Sequence, residues 1–339
     1  MKPTDFAIQL SRYLGSYLPG QSGCSMNTVR SYRDAFSLLL YCRDERQMPP
    51  HKLTLEQIDR HLVEGVLQWL ENCRGCSASI RNDRLAAIYT FYTYLQYEAP
   101  HLLERCQEIL SIPYKKVQKK VMSYLSLDEI QALLAQPDTR TTSGRRDLTK
   151  LSLLYDTGAR VQELADLKFG DIRLSSPTVI RLSGKGGKVY LVPIMSPTEK
   201  LLWAYWEERD SNYSAHNAYP LFCNRDGKKL TRAGIAYILN KYVTQAQSLR
   251  GISPQTVVSP HVLRHSKAMH LLQSGVNLVY IRDLLGHVDV STTEVYARAD
   301  ERFKREALML AYPSPSPEPD KTAWQKNLNL MDWLKSLGK

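Results

Sequence analysis

The chain has 339 residues, 43% of them hydrophobic, enough to bury two ordinary cores, since domains usually hold on the order of 100–200 residues. Lysine and arginine outnumber aspartate and glutamate by 45 − 34 = 11, which favours a polyanionic partner, either nucleic acid or an anionic membrane surface. No apolar run of about 18 residues is present to span a bilayer, the start carries Asp5 and no signal-like apolar core, and six cysteines scattered along so long a chain suit reduced thiols; a membrane protein and a secreted disulfide scaffold are both disfavoured.

The first 112 residues read as an all-helical domain. From Asn27, apolar residues recur at Val29, Tyr32, Phe36, Leu39 and Leu40, the spacing of one helical face. A second helix is expected from Thr54, whose Thr54-Leu-Glu-Gln57 order is a capping box, to about Asn72. A third spans about Ser79 to Tyr97, with Ile80, Leu85, Ile88, Tyr89, Tyr92 and Leu95 at mostly helical spacing. The helix starts carry Asn27, Thr28, Arg30 and Arg33, then Ser79, Arg81, Asn82 and Arg84, groups that suit phosphate binding at helix N-termini; a solvated charged face is the plainer alternative for any one of them. Cys73-Arg-Gly-Cys76 lacks a second pair or nearby histidines, so two ordinary thiols at a helix end are expected and no metal.

Residues 113–123 read as a basic linker: Pro113 interrupts helix, and Lys115, Lys116, Lys119 and Lys120 could track a nucleic-acid backbone. Residues 124–312 read as a second, mainly helical domain with a small sheet, opening on Ser126 with Glu129 as a capping box. Thr178–Ser183 and Lys188–Val192 are β-rich runs joined by Gly184-Lys-Gly-Gly187, a hairpin whose glycines supply positive φ. Helical patterns follow at about 197–209, 231–247, 259–274, 277–285 and 291–298; Ser259 with Pro260 marks a helix start, Gly275 and Gly286 helix ends. Residues 313–339 begin as a Pro-rich tether and end in an apolar stripe, Trp324, Leu328, Met331, Trp333, Leu334 and Leu337, on a short helix expected to dock on its own domain or a neighbouring subunit.

Chemistry concentrates in His261-Val-Leu-Arg264-His265, Leu285-Gly-His287 and Tyr296. In these residues the chain resembles the tyrosine recombinase (phage integrase) family, whose signature is H-x-x-R, then L-G-H about two dozen residues on, then a tyrosine nine later. The intervals here are 287 − 264 = 23 and 296 − 287 = 9, both normal for Xer-like members of the family, and the chain resembles a Xer-like or mobile-element integrase. Upstream, Thr157-Gly-Ala-Arg160-Val-Gln-Glu163 is similar to the family's first arginine motif, and Gly184-Lys185-Gly to its lysine position. The resemblance is strong over residues 120–312 and one of general layout before them. It implies a mainly α protein with a small antiparallel β-sheet: an all-helical, SAM-like core-binding domain and a mixed α/β catalytic domain, closing as a C-shaped pair around DNA.

Attack on a phosphodiester builds negative charge on the non-bridging oxygens, which Arg160 and Arg264 can meet with always-charged planar forks. A phenol of ordinary pKa, about 10, is a weak nucleophile at neutral pH, so Tyr296 needs a proton acceptor. The resemblance makes Tyr296 the nucleophile, His261 the base or proton acceptor, His287 the group positioning phosphate or nucleophile, and Lys185 the general acid for the departing 5′-hydroxyl, with Glu163 a partner orienting Arg160 or its helix. It further implies a covalent 3′-phosphotyrosyl intermediate, no metal, ATP or other cofactor, and four protomers acting on double-stranded DNA with paired inverted-repeat sites through a Holliday junction. The C-terminal helix would then pack in trans, and the protein would be cytoplasmic and nucleoid-associated.

Other readings of the same residues are weaker. His261 and His265 have zinc-binding spacing but lack the glutamate of HExxH, and the hairpin lacks the GxxxxGK[ST] pattern of a nucleotide loop. His265 and His270 read as hydrogen-bonding neighbours in one helix. The expected role is integration, excision or transposition of a mobile element, with Xer-type dimer resolution as the alternative. A type IB topoisomerase and a non-catalytic DNA-binding accessory protein are the rivals of other classes.

Overall fold

The computed structural model describes residues 2–45, 50–117, 122–173, 177–208, 217–287, 289–299 and 334–337, among which one hydrophobic cluster forms in the first part of the chain and two in the second. The chain divides after Lys120 into two compact units.

The first unit is helical: α1 (Asp5–Arg12), α2 (Met26–Glu45), α3 (Arg60–Asn72), α4 (Ala78–Glu98) and α5 (Leu103–Leu110). Thr4 caps α1 by accepting the Ala7 N–H, and the chain then widens into a π-helical stretch, Tyr13–Gln21, that contains Pro19. Phe91 of α4 is the hub of the core, with ring centroids 5.1 Å from both Tyr13 and Phe36 and 6.1 Å from Phe6. The helix expected from Thr54 begins later. Gln57 does reach back to the Thr54 N–H, at 3.3 Å, but this closes only a 3-10 turn, Leu55–Gln57. Ile58 is extended and buried, so α3 starts afresh after Asp59, whose carboxylate accepts the Leu62 N–H at 2.7 Å.

The second unit runs α6 (Leu127–Leu134), α7 (Thr142–Asp156), α8 (Val161–Asp166), β1 (Ile172–Arg173), β2 (Val179–Ser183), β3 (Val189–Pro193), α9 (Ser196–Glu208), α10 (Arg232–Ser248), α11 (Pro260–Gln273), α12 (Leu278–Leu285) and α13 (Ser291–Ala299). The strands form an antiparallel sheet in the order β1-β2-β3, with Ile180 opposite Ile172 and Val192, and Leu182 opposite Tyr190. Ile180, Leu182, Tyr190 and Val192 are buried, so alternation puts one face of the hairpin on the core. Gly186 and Gly187 take φ of +76° in the connecting turn.

α7 lies at the centre of this unit, yet Asp147, Thr149, Lys150 and Ser152 on it are all buried. Lys150 Nζ is 3.0 Å from Asp147 Oδ1, and Tyr242 donates to Asp147 Oδ2 at 3.1 Å. Breaking a buried pair by removing one partner strands the other charge, at a cost of about 3–5 kcal/mol. Asp147→Ala is therefore expected to lower the thermal unfolding transition of the second unit sharply. Arg140→Ala, which breaks an exposed pair with Asp138, should leave that transition in place.

Candidate active site

Arg160 stands at the turn from α7 into α8. Gly158, two residues earlier, has φ +59°, and a Cβ there would lie 2.8 Å from Leu285 Cδ2, so this turn needs glycine and packs on the Leu285-Gly-His287 segment. Glu163 folds its buried carboxylate back: Oε2 accepts the Arg160 N–H and Oε1 accepts Arg160 Nη1, each at 2.7 Å. A third donor, Tyr190 Oη, reaches Oε2 at 2.7 Å. A buried carboxylate is tolerated only when its lone pairs are met in this way, and the same bonds hold the Arg160 guanidinium, which keeps 32% of its side chain exposed.

Arg264 is buried on α11. Its Nη1 donates to Gly158 O at 2.7 Å and its Nη2 to Leu285 O at 2.6 Å, so one guanidinium ties three motif segments together. Burial, then the neighbouring Arg160 charge, lower its pKa from the usual arginine value. His261, one turn earlier, is exposed; partial burial and the Arg264 and Arg160 charges push its imidazole down. His287 follows Gly286, which ends α12 at φ +61°, and its Nδ1 lies 2.9 Å from Thr293 Oγ1, leaving Nε2 for another partner. Its carbonyl accepts Lys188 Nζ at 3.1 Å. Burial first, then Arg264, Arg160, His265 and Lys188, push its pKa down to about 4, so it is neutral at physiological pH. Lys185 opens the turn between β2 and β3.

Tyr296 is carried by α13, its ring enclosed by Ala268, Met269, Leu272, Ile281 and Leu285. The ring of His287 is parallel to it at 6.4 Å between centroids. Its hydroxyl lies 3.1 Å from His265 Nδ1, so the imidazole that meets the phenol is His265 rather than the expected base, His261, whose ring sits 6.4 Å from that of His265. Burial raises the Tyr296 pKa while Arg264 and Arg160 pull it down. Burial and the His261 and Arg264 charges lower that of His265, which is the direction that keeps an imidazole able to accept. The missed residue had a signal in the sequence: it follows Arg264 directly and lies i+4 from His261.

In the first unit, Asn27, Arg30, Arg33 and Ser79 are exposed and Thr28 half-buried, with Arg33 paired to Asp34 at 2.7 Å. Arg81, by contrast, is buried; its Nη1 donates to Pro113 O at 2.9 Å. Asn82 exchanges two hydrogen bonds with the Lys115 backbone, and Arg84 donates to Ser31 O at 3.1 Å. These three fasten the segment after α5 and α2 within their own unit, a job the sequence did not announce. Lys115 Nζ is paired with Glu71 at 2.8 Å, Lys116 is exposed, and Lys119 and Lys120 lie outside the described residues. Cys73 is exposed and Cys76 half-buried at the end of α3. Among the described residues no helix is long and apolar enough to cross a membrane. The expected C-terminal helix lies almost wholly outside them; Leu334 and Leu337 are described and exposed.

The sequence profile of the phage integrase family matches residues 123–302, and that of the phage integrase N-terminal SAM-like domain matches residues 10–99. The chain belongs to the phage integrase family. These tyrosine recombinases are enzymes that cut and rejoin DNA, and the chain is a site-specific recombinase of this kind. It is 34% identical over 338 residues to the putative integrase/recombinase y4rC of Sinorhizobium fredii, covering 99% of each chain. It is 33% identical to the tyrosine recombinase XerC of Pelotomaculum thermopropionicum, covering 85% of this chain and 93% of that one. In fold it is similar to the XerH site-specific recombinase bound to its difH substrate (TM-score 0.63, 22% identity, 88% and 84% covered). It is also similar to the Tn1549 transposon integrase bound to circular-intermediate DNA (TM-score 0.66, 14% identity, 91% and 100% covered).

The imidazoles of this integrase site carry a pH signature. A folded-state pKa near 4 for His287, below the ordinary value of about 6.5, means the unfolded chain binds the extra proton first, so stability is lost as pH falls through that window. The loss expected from His287 alone by pH 4 is on the order of 2–3 kcal/mol. Denaturant unfolding between pH 7 and pH 4.5 should show a steeper decline for the wild-type chain than for His287→Asn.

Proposed function

We propose that Tyr296 Oη attacks a scissile phosphate, forming a 3′-phosphotyrosyl bond as the bond to the 5′-oxygen breaks. The tyrosine proton leaves to a site imidazole, and the departing 5′-oxygen takes a proton from Lys185. Arg160 and Arg264 hold the non-bridging oxygens, whose charge grows in the transition state. His287 acts through Nε2 as a hydrogen-bond partner of phosphate or nucleophile. The observation that carries this reading is the convergence of Arg160, Arg264, His287 and Tyr296, from four separate segments, around one buried phenol within contact of an imidazole.

The phosphotyrosyl bond conserves the energy of the broken phosphodiester, so a 5′-hydroxyl from a second duplex can attack it and release the tyrosine without ATP. Recombination then takes four protomers on two double-stranded sites, each an inverted repeat, and passes through a Holliday junction. Residues 1–112 clamp DNA through Asn27, Thr28, Arg30, Arg33 and Ser79, residues 113–123 follow the backbone, residues 124–312 hold the chemistry, and residues 313–339 dock on a neighbouring protomer. The setting is the bacterial cytoplasm, at the nucleoid. Likeness to y4rC over the full chain supports integration, excision or transposition of a mobile element. The XerC likeness supports dimer resolution as a second reading.

Nicked suicide duplexes tiled across the DNA that flanks the gene test the mechanism. Wild-type protein is expected to form a denaturant-stable DNA adduct on some of them, mapping to the peptide with Tyr296, and Tyr296→Phe to form none. An adduct in Tyr296→Phe, or none with folded wild-type protein on any duplex, would contradict the proposal. Two labelled duplexes carrying the reactive site should give joined products, whereas relaxation of one duplex without exchange would indicate a topoisomerase.

A further inference from the structure

Tyr190 lies on β3 opposite Leu182, on the hairpin whose turn carries Lys185, and its side chain faces the core. Three separate contacts meet on this hairpin. The Tyr190 hydroxyl donates to Glu163 Oε2 at 2.7 Å, the same oxygen that accepts the Arg160 N–H, while the other Glu163 oxygen accepts Arg160 Nη1. The Tyr190 ring lies directly against Gly286: a Cβ on that residue would come within 2.4 Å of Cε1, 2.7 Å of Cζ and 2.8 Å of Cδ1. Two residues before Tyr190, Lys188 Nζ donates to the carbonyl of His287.

The terminal torsion of a glutamate is soft, so a carboxylate keeps one orientation only when donors on both oxygens hold it. Tyr190 supplies the donor that comes from outside α8. Arg160 supplies the other two, its backbone N–H on Oε2 and its Nη1 on Oε1, and Nη1 belongs to the very group being oriented, so Tyr190 is the donor that does not depend on Arg160. With the ring, the same residue sets how near the Leu285-Gly-His287 segment comes to the hairpin, and Gly286 is the residue that allows that approach.

We propose that Tyr190 is a positioning residue of the recombinase site, whose hydroxyl fixes the Glu163 carboxylate and through it the Arg160 guanidinium, and whose ring seats the turn that carries His287. The proposal rests on the reading of Arg160 as a phosphate-binding cation. A phenol this buried and this close to a carboxylate has its pKa raised, so it stays a donor throughout the working pH range.

The test is single-turnover adduct formation at saturating DNA, on a tiled duplex with which the wild-type chain reacts, beside DNA affinity and the melting temperature. Tyr190→Phe keeps the ring against Gly286 and removes one hydroxyl. It is expected to slow adduct formation about 10-fold, since misplacement of a catalytic group by about 1 Å costs up to 100-fold, with DNA affinity changed less than about 2-fold. Tyr190→Leu, which also removes the ring, should be slower still, and the loss should exceed anything explained by the melting curve at the assay temperature. A Tyr190→Phe rate equal to wild type, or a loss confined to DNA affinity or to the fraction folded, would overturn the proposal. Arg160→Ala separates the two layers: if it reacts like wild type, the phosphate-binding reading itself fails, whereas an inactive Arg160→Ala beside a fully active Tyr190→Phe removes only Tyr190.

Discussion

For the two guanidinium groups to share one phosphate, as proposed, they have to stand close together, and in the free protein only the protein itself opposes their repulsion. The structure meets this constraint unevenly. Arg264 is buried and anchored by two backbone carbonyls, Gly158 O and Leu285 O, dipoles that stabilise the cation without neutralising it. Arg160 stays partly exposed and is paired with Glu163, a buried carboxylate that spends a lone pair on the Arg160 N–H as well. A full ion pair on both arginines would blunt their pull on phosphate; no partner on either would leave the turn at Gly158 to spring apart. One carboxylate, on Arg160, is the compromise, and glycine at 158 and 286 lets Leu285 and Tyr190 pack where a Cβ would collide with them.

Tyr296, the proposed nucleophile, is placed by a different balance. The ring of Tyr296 is held by an apolar cluster from α11 and α12, with the His287 ring parallel to it, and its hydroxyl reaches His265. Burial works against ionisation and the two arginines work for it, and burial is the larger effect, so the phenol's pKa stands above its ordinary value. In the proposed mechanism the cations that hold the phosphate are thus the same ones that lower the tyrosine pKa.

The SAM-like and catalytic folds were legible in the sequence because family motifs recur at fixed spacing, and of the residues those motifs name, Arg160, Arg264, His287 and Tyr296 come together in the second unit. The helices from 231 to 299 were visible through caps and terminal glycines. What was hidden followed from how sequence patterns fail. α7 looks polar, but its Asp147 and Lys150 neutralise each other inside the core, so no apolar stripe announces it. The stretch at Tyr13–Gln21 holds Gly15, Pro19 and Gly20, residues that argue against helix until the π-helical geometry accommodates them. Arg81 and Asn82 read as phosphate ligands from their position at a helix start, yet tertiary contacts with Pro113 and Lys115 claim them. Tyr190 carries no motif of its own and is revealed by its contacts with Glu163 and Gly286, whereas His265, beside Arg264 in the motif, shows its contact with Tyr296 only in the fold.

The central claim is that the Glu163 carboxylate, through its bonds to Arg160, organises the cationic site. It is tested most directly by the single-turnover rate of covalent adduct formation with Glu163→Gln at saturating DNA. Glutamine keeps the shape, removes the charge, and puts a donor where one of the acceptors stood. The account predicts a rate reduced on the order of 100-fold with DNA affinity nearly unchanged, the mark of an interaction realised in the transition state. A Glu163→Gln enzyme that forms adduct at the wild-type rate would contradict it.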